Sequence, residues 1–153
     1  MIKYAALLLS LASQFTYAEL IEKDDSDYWT VDGLAHYVRS RENDDFTANL
    51  IATNQNRSTV GFTHPYHYCS SDGDKKKVKI HYQWVRFVSR CSAGTAYWVP
   101  ESQKGTDFLK QHFSSNADVK VLFDNVKYTF STKYFVGVKQ QWENTVDTLG
   151  NAI

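Results

Sequence analysis

Apolar and polar positions alternate along most of the chain beyond residue 27, and short strands are the elements this predicts. Residues 28–31 (YWTV) favour β structure and stop at Asp32-Gly33, a turn signal. Residues 34–40 (LAHYVRS) are ambiguous, since Leu34, Tyr37 and Val38 have helical spacing. If Asp32-Gly33 forms a tight turn, they become the second arm of a hairpin. Phe46, Ala48, Leu50 and Ala52 fall on one face of the next segment, with Thr47, Asn49, Ile51 and Thr53 on the other. Together with residues 58–62 (STVGF), across a turn at 54–57, this reads as a second hairpin. Residues 63–71 (THPYHYCSS) contain a proline and read as a loop or an edge strand. The longest strand candidate is 77–90 (KVKIHYQWVRFVSR). Val78, Ile80, Tyr82 and Trp84 alternate on one face, and Val85 and Phe87 then fall on the other. That phase change predicts a bulge near Trp84-Val85, or a strand that passes from one sheet to another.

Residues 95–99 form a further strand, ended by Pro100. Ser102 or Thr106 can cap a helix whose apolar side is Phe108, Leu109, His112 and Phe113. Val119, Val121 and Phe123 alternate before Asp124-Asn125, and Val126, Tyr128 and Phe130 after it, which is a hairpin signature. Thr132 can cap a last helix with Phe135, Val138, Trp142, Val146 and Leu149 along one stripe and Gly150 at its C-terminal end. The expected fold is mainly β (α+β): a β-sandwich or partly open barrel of about six to eight antiparallel strands, with a short helix and a C-terminal helix.

The N-terminus has a different character. Lys3 precedes an apolar run, YAALLLSLA, and a more polar stretch with Thr16 and Ala18 at the −3 and −1 positions of a cleavage site. This order reads as a secretory signal peptide over residues 1–18. The run is too short to span a bilayer, which takes about 20 residues. Residues 19–153 are then one exported β-rich domain that opens with an acidic arm, ELIEKDDSD. The only cysteines, Cys69 and Cys91, read as one disulfide in an oxidising compartment.

The 153 residues are 42% hydrophobic and 22% charged, ordinary usage for a globular domain. Lysine and arginine total 17, as do aspartate and glutamate. A net charge of zero argues against broad electrostatic binding to nucleic acid or anionic lipid. Lys75, Lys76, Lys77 and Lys79 form a basic run beside aromatic residues. Such interleaving can serve single-stranded nucleic acid, but lysines that solubilise a turn and protect a strand edge explain it better.

From Phe87 to Trp142 the order is FVSRCSAGTAYWVP, a capped helix with DFL, VKVLFDNVKYTFS, then Tyr134-Phe135 and a terminal helix. In this order the second half resembles small periplasmic β-sandwich proteins of the invasion-associated locus B type. Tyr134 stands where that family has a glycine, and the cysteines are sparser. The resemblance implies an exported bacterial β-sandwich without a known catalytic centre, and it assigns no functional residue here.

The densest candidate site is His64-Pro65-Tyr66-His67-Tyr68-Cys69. His64, Tyr66, His67 and Tyr68 combine apolar area with polar tips, which suits a protein interface, and a disulfide at the base would pre-organise them. Trp98, near a strand end beside Pro100, is the tryptophan best placed for a carbohydrate or protein surface. Two histidines three apart, joined by His81, could hold zinc or copper, although there is no H-E-x-x-H. The aspartates lack the order of a calcium loop, and neither a G-x-S-x-G elbow nor a phosphate-binding glycine loop occurs. The sequence therefore predicts a periplasmic or secreted non-catalytic protein. It would need no cofactor or metal and would bind a protein partner as an inhibitor or toxin-immunity protein does. The alternatives are a small secreted metal-dependent hydrolase built on His64, His67 and His81, and an envelope subunit that assembles with itself through strand edges.

Overall fold

In the computed structural model, residues 26–52, 58–69 and 71–150 are described. The predicted leader and most of the acidic arm lie outside them. The strands are β1 (Thr30–Asp32), β2 (Ala35–Arg39), β3 (Thr47–Ala52), β4 (Ser58–Tyr68), β5 (Lys75–Ile80), β6 (Gln83–Ser92), β7 (Thr95–Pro100), β8 (Val119–Phe123) and β9 (Val126–Phe130). The helices are α1 (Gln103–Phe113) and α2 (Phe135–Gly150). All strands join one antiparallel sheet in the order β1-β2-β3-β4-β7-β6-β5-β8-β9. The fold is thus mainly β with a short helix and a C-terminal helix, and the two sheets of a sandwich are replaced by one open, curled sheet. Curling brings the β2–β3 connection to the far edge, where Arg41 N–H donates to Thr129 O of β9 at 3.0 Å.

The extra strand comes from residues 77–90. They form two arms of a hairpin, with Ile80 paired to Gln83 across a turn at His81-Tyr82. His81 takes φ 52°, a left-handed conformation that histidine visits more often than most side chains. The phase change is this reversal, and neither a bulge at Trp84-Val85 nor a change of sheet occurs. Residues 63–68 likewise continue β4, whose register against β7 shifts between Thr63 and Tyr68, around Pro65. A proline removes a ladder donor, so this stretch of strand cannot pair regularly.

Period-2 patterning supplies the core. Val38, Phe46, Ala48, Val60, Phe62, Val78, Ile80, Phe87, Val119 and Phe130 are buried on the inner side. Phe46 sits at their centre, 4.1 Å from the Tyr128 ring and 5.8 Å from Phe62, and so bridges strands β3 and β9 that are far apart in the sheet. Each such ring stabilises by about 1.5–3 kcal/mol relative to an exposed one. Helix α1 is capped by Ser102, whose Oγ accepts from Gly105 N–H at 3.1 Å. Gly105 has no room for a side chain, since a Cβ would lie 3.1 Å from both Pro100 and Val85. Leu109 and Phe113 bury the inner side of this helix. Helix α2 follows Tyr134, at φ 67°, and buries Phe135, Val138 and Trp142. It is tied to β4 by the Ser58 hydroxyl, which donates to Glu143 Oε1 at 2.7 Å.

Candidate functional site

The Cys69–Cys91 disulfide is formed, with 5.8 Å between Cα atoms. It joins the end of β4 to the end of β6, and both cysteines are also held by backbone hydrogen bonds. Cys69 N–H donates to Gly94 O at 3.0 Å, and Cys91 N–H donates to Asp72 Oδ1 at 2.6 Å. Tyr68 pairs with Thr95, which pairs in turn with Ser92, so three strands present one row of side chains. The adjacent row on the same face pairs Arg90 with Tyr97. Tyr68 is 86% exposed.

Beside these rows lies an open groove of about 730 Å³, lined by Asp72, Arg90, Tyr97, Glu101, Gln103 and Thr106 among others. Arg90 and Asp72 form an ion pair at 3.7 Å on its rim. Thr106 reaches Thr59 of β4 through a hydroxyl contact at 3.2 Å, which fixes the α1 wall. Glu101 accepts a hydrogen bond from Lys75 at 2.6 Å. That bond, helped by the charges of Lys75 and Arg86, holds its carboxyl below the usual range despite partial loss of water. The lining offers hydrogen-bond donors and acceptors of both charges and a tyrosine ring. Such a mixed polar lining can recognise a ligand or a partner side chain.

The structure distributes the other predicted residues differently. His64 is partly buried, with its ring 6.1 Å from that of Phe46. Tyr66 and His67 belong to β4, and their side chains lie outside the described residues. His81 packs against His112 of α1, 4.7 Å between ring centroids. Burial, with the charges of His112 and Lys120, pushes its pKa down. Among the described residues no group of three or more His, Cys, Asp or Glu side chains could hold a metal.

Trp98 requires a correction. It is only 7% exposed, because β7 lies inside the sheet between β4 and β6 and Trp98 points to its inner face. Lys76 Nζ sits 4.1 Å from its ring centre and covers what remains. The tryptophan that reaches the surface is Trp84, 50% exposed. It stands beside a smaller pocket of about 390 Å³ formed with Arg86, Lys104, Gly105 and Phe108. No family model, curated protein or solved structure matches the chain. Among the described residues, no helix is long and apolar enough to cross a membrane.

Proposed function

We propose that this is an exported, non-catalytic binding protein of the periplasm or exterior that holds a protein partner, in the manner of an inhibitor or immunity protein. The observation that carries the reading is Tyr68, a wholly presented ring on a strand end fixed by a disulfide, next to the groove of Arg90 and Tyr97. A tyrosine offers large contact area with few rotatable bonds, and an anchored backbone lowers the ordering cost of binding. Tyrosine and arginine are also the residue types that most often dominate an interface. The signal-like N-terminus and the disulfide both favour an oxidising compartment.

Self-assembly through strand edges has less support. The edge strand β1 has three residues, and at the other edge Thr129 of β9 already bonds Arg41 and Glu42. Short or covered edges resist pairing with a second copy.

The test is affinity capture from native-host envelope extract with the oxidised protein as bait, followed by native mass spectrometry of the complex. The reading expects one protein retained at fixed stoichiometry, lost in Tyr68→Ala and Tyr97→Ala variants that melt like the parent. Retention unchanged in both variants would remove this face from the reading. Stoichiometric zinc in the purified protein would favour the hydrolase.

A further inference from the structure

The whole-chain charge of zero conceals a segregated surface. Pairing aligns Trp84, Lys79, Leu122 and Lys127 in one row across β6, β5, β8 and β9. Lys77 stands directly opposite Arg86 on the same face, and Lys120 lies two residues before Leu122 on that face too. Strands about 4.8 Å apart and same-face neighbours about 6.8 Å apart thus set five cations in a regular lattice. Lys77, Arg86, Lys120 and Lys127 are exposed, and Lys79 is half-buried.

These charges are largely unopposed. Among the described residues Lys77, Lys120 and Lys127 have no carboxylate partner, and Lys79 Nζ lies over the Trp84 ring at 5.7 Å. Arg86 reaches Glu101 at 3.5 Å, but Glu101 is also bonded by Lys75. The other nearby carboxylates are engaged: Asp124 by Lys76, and Glu42 by Thr129. A like-charge pair directly across two strands, as Lys77 and Arg86 form, is destabilising. Edge protection does not account for it, because β5 lies inside the sheet, between β6 and β8.

We propose that this face docks the protein on an anionic lipid leaflet. Charge complementarity demands a polyanion, and three features select a lipid surface. The face is the outer side of the sheet, and the pocket at its Trp84 margin is not formed by Lys77, Lys79, Lys120 or Lys127. Its rows of side chains carry one aromatic ring, Trp84, with Tyr82 exposed in the turn beside it, whereas single-stranded nucleic acid is held by successive stacked bases. Its cations are lysines except one, and lysine is depleted where proteins bind each other while arginine is enriched. Mobile headgroups can adapt to a lysine lattice without a fixed counter-surface, and clusters of this size bind acidic leaflets. Trp84, half-exposed with Lys79 beside it in the row, is the residue type that settles at headgroup depth. Tyr68 lies on the same face toward the other end of β6, and the groove reaches Glu101 beside Arg86.

The test uses the protein purified after export, mixed with vesicles of phosphatidylglycerol and phosphatidylcholine or of phosphatidylcholine alone. Sedimentation should show binding to the acidic vesicles only, weakened by added salt. Trp84 should move to shorter emission wavelength, since Trp29, Trp98 and Trp142 are already buried. Each basic residue near an acidic leaflet is worth about fivefold in partitioning, so Lys77→Ala with Lys79→Ala should lose about twenty-five-fold. Lys133→Ala, outside the lattice, should lose far less, and matching melting curves exclude misfolding. Equal binding to both vesicle types, no binding, or retention of the signal in the double variant overturns the proposal. Preference for an oligothymidylate over vesicles overturns it in favour of nucleic acid.

Discussion

At Cys91, strand β6 is pinned by a disulfide, flanked by β7 and bonded to Asp72. At Trp84 the same strand has only β5 beside it, because β7 has ended at Pro100 and the chain has turned into α1. The first end is rigid and of mixed charge, with Arg90, Asp72, Tyr68 and Tyr97 arranged around a groove. The second is basic and open along one side, with Lys77, Lys79 and Arg86 beside a half-exposed tryptophan. The ends are about 24 Å apart at ~3.4 Å per residue. A fixed constellation suits one shaped partner, and a lattice of flexible cations suits a surface without fixed shape. One strand can therefore serve two kinds of recognition, because its neighbours differ along its length.

The two surface-candidate tryptophans break or sharpen that contrast most strongly. Trp98→Ala should destabilise by about 3–5 kcal/mol, because it opens a cavity between β4 and β6 against Phe123. Trp84→Ala should cost about 1 kcal/mol or less, as expected of a half-exposed ring. Urea unfolding of both variants measures the difference, and similar costs would mean that Trp84 is a core residue. Removing the staple comes next. Cys69→Ser with Cys91→Ser frees a 22-residue separation, worth about 3 kcal/mol in the chain-entropy account. The unfolding midpoint should fall, while vesicle binding per folded molecule stays the same, because only the rigid end depends on the disulfide. A parallel loss of vesicle binding would show that the ends are coupled. Tyr68→Ala is smaller in stability, within about 0.5 kcal/mol, yet should weaken the captured partner by about 2 kcal/mol or more. Calorimetry on the purified complex separates those two numbers.

Much of this was legible from alternation. Residues 46–52 and 119–130 read as strands because one face is uniformly apolar, and 103–113 read as a helix because Ser102 precedes a stripe ending in Phe113. The hairpin at His81-Tyr82 was not legible, because no glycine, asparagine or aspartate marks it. That single turn decides where Trp84 points. Read as one continuous strand, Trp84 shares a face with Val78 and Ile80. Folded back, it lies opposite Lys79 and faces water. Trp98 was misplaced for a related reason: Pro100 looks like the exposed end of a strand, whereas it pairs with Phe87 inside the sheet. The basic lattice escaped a count of charges because acids and bases cancel in the sum. It emerges only when register places β5 beside β8, a pairing between segments separated by β6, β7 and α1. The Cys69–Cys91 disulfide was readable from the cysteine count and the expected compartment. The groove was not, since it is assembled from Asp72, Arg90, Tyr97 and Gln103, which no motif connects.

The smallest effect tests whether the open end senses pH through the turn that creates it. Burial and the neighbouring His112 and Lys120 hold the His81 pKa below its ordinary 6.5. The unfolded chain then binds the proton more readily than the folded one, so stability rises with pH in this range. The contribution is whole above the unfolded value of 6.5 and is lost as pH falls from there through the lower folded value. Asn tolerates the left-handed backbone of His81 and does not titrate, which makes His81→Asn the conservative variant. Melting temperatures between pH 7.5 and 5 should fall less steeply in His81→Asn than in the parent. His112→Gln should flatten the curve partly, since it removes one of the two neighbouring charges and leaves the burial. Lys120→Gln removes the other charge and part of the lattice at once, so it should flatten the melting curve while also weakening vesicle binding. An unchanged slope in His81→Asn would show that the turn is insensitive to pH, and that acid loss of stability belongs to the carboxylates. One of these is Glu143, which burial pushes up but the Ser58 and Lys139 hydrogen bonds hold below its ordinary value.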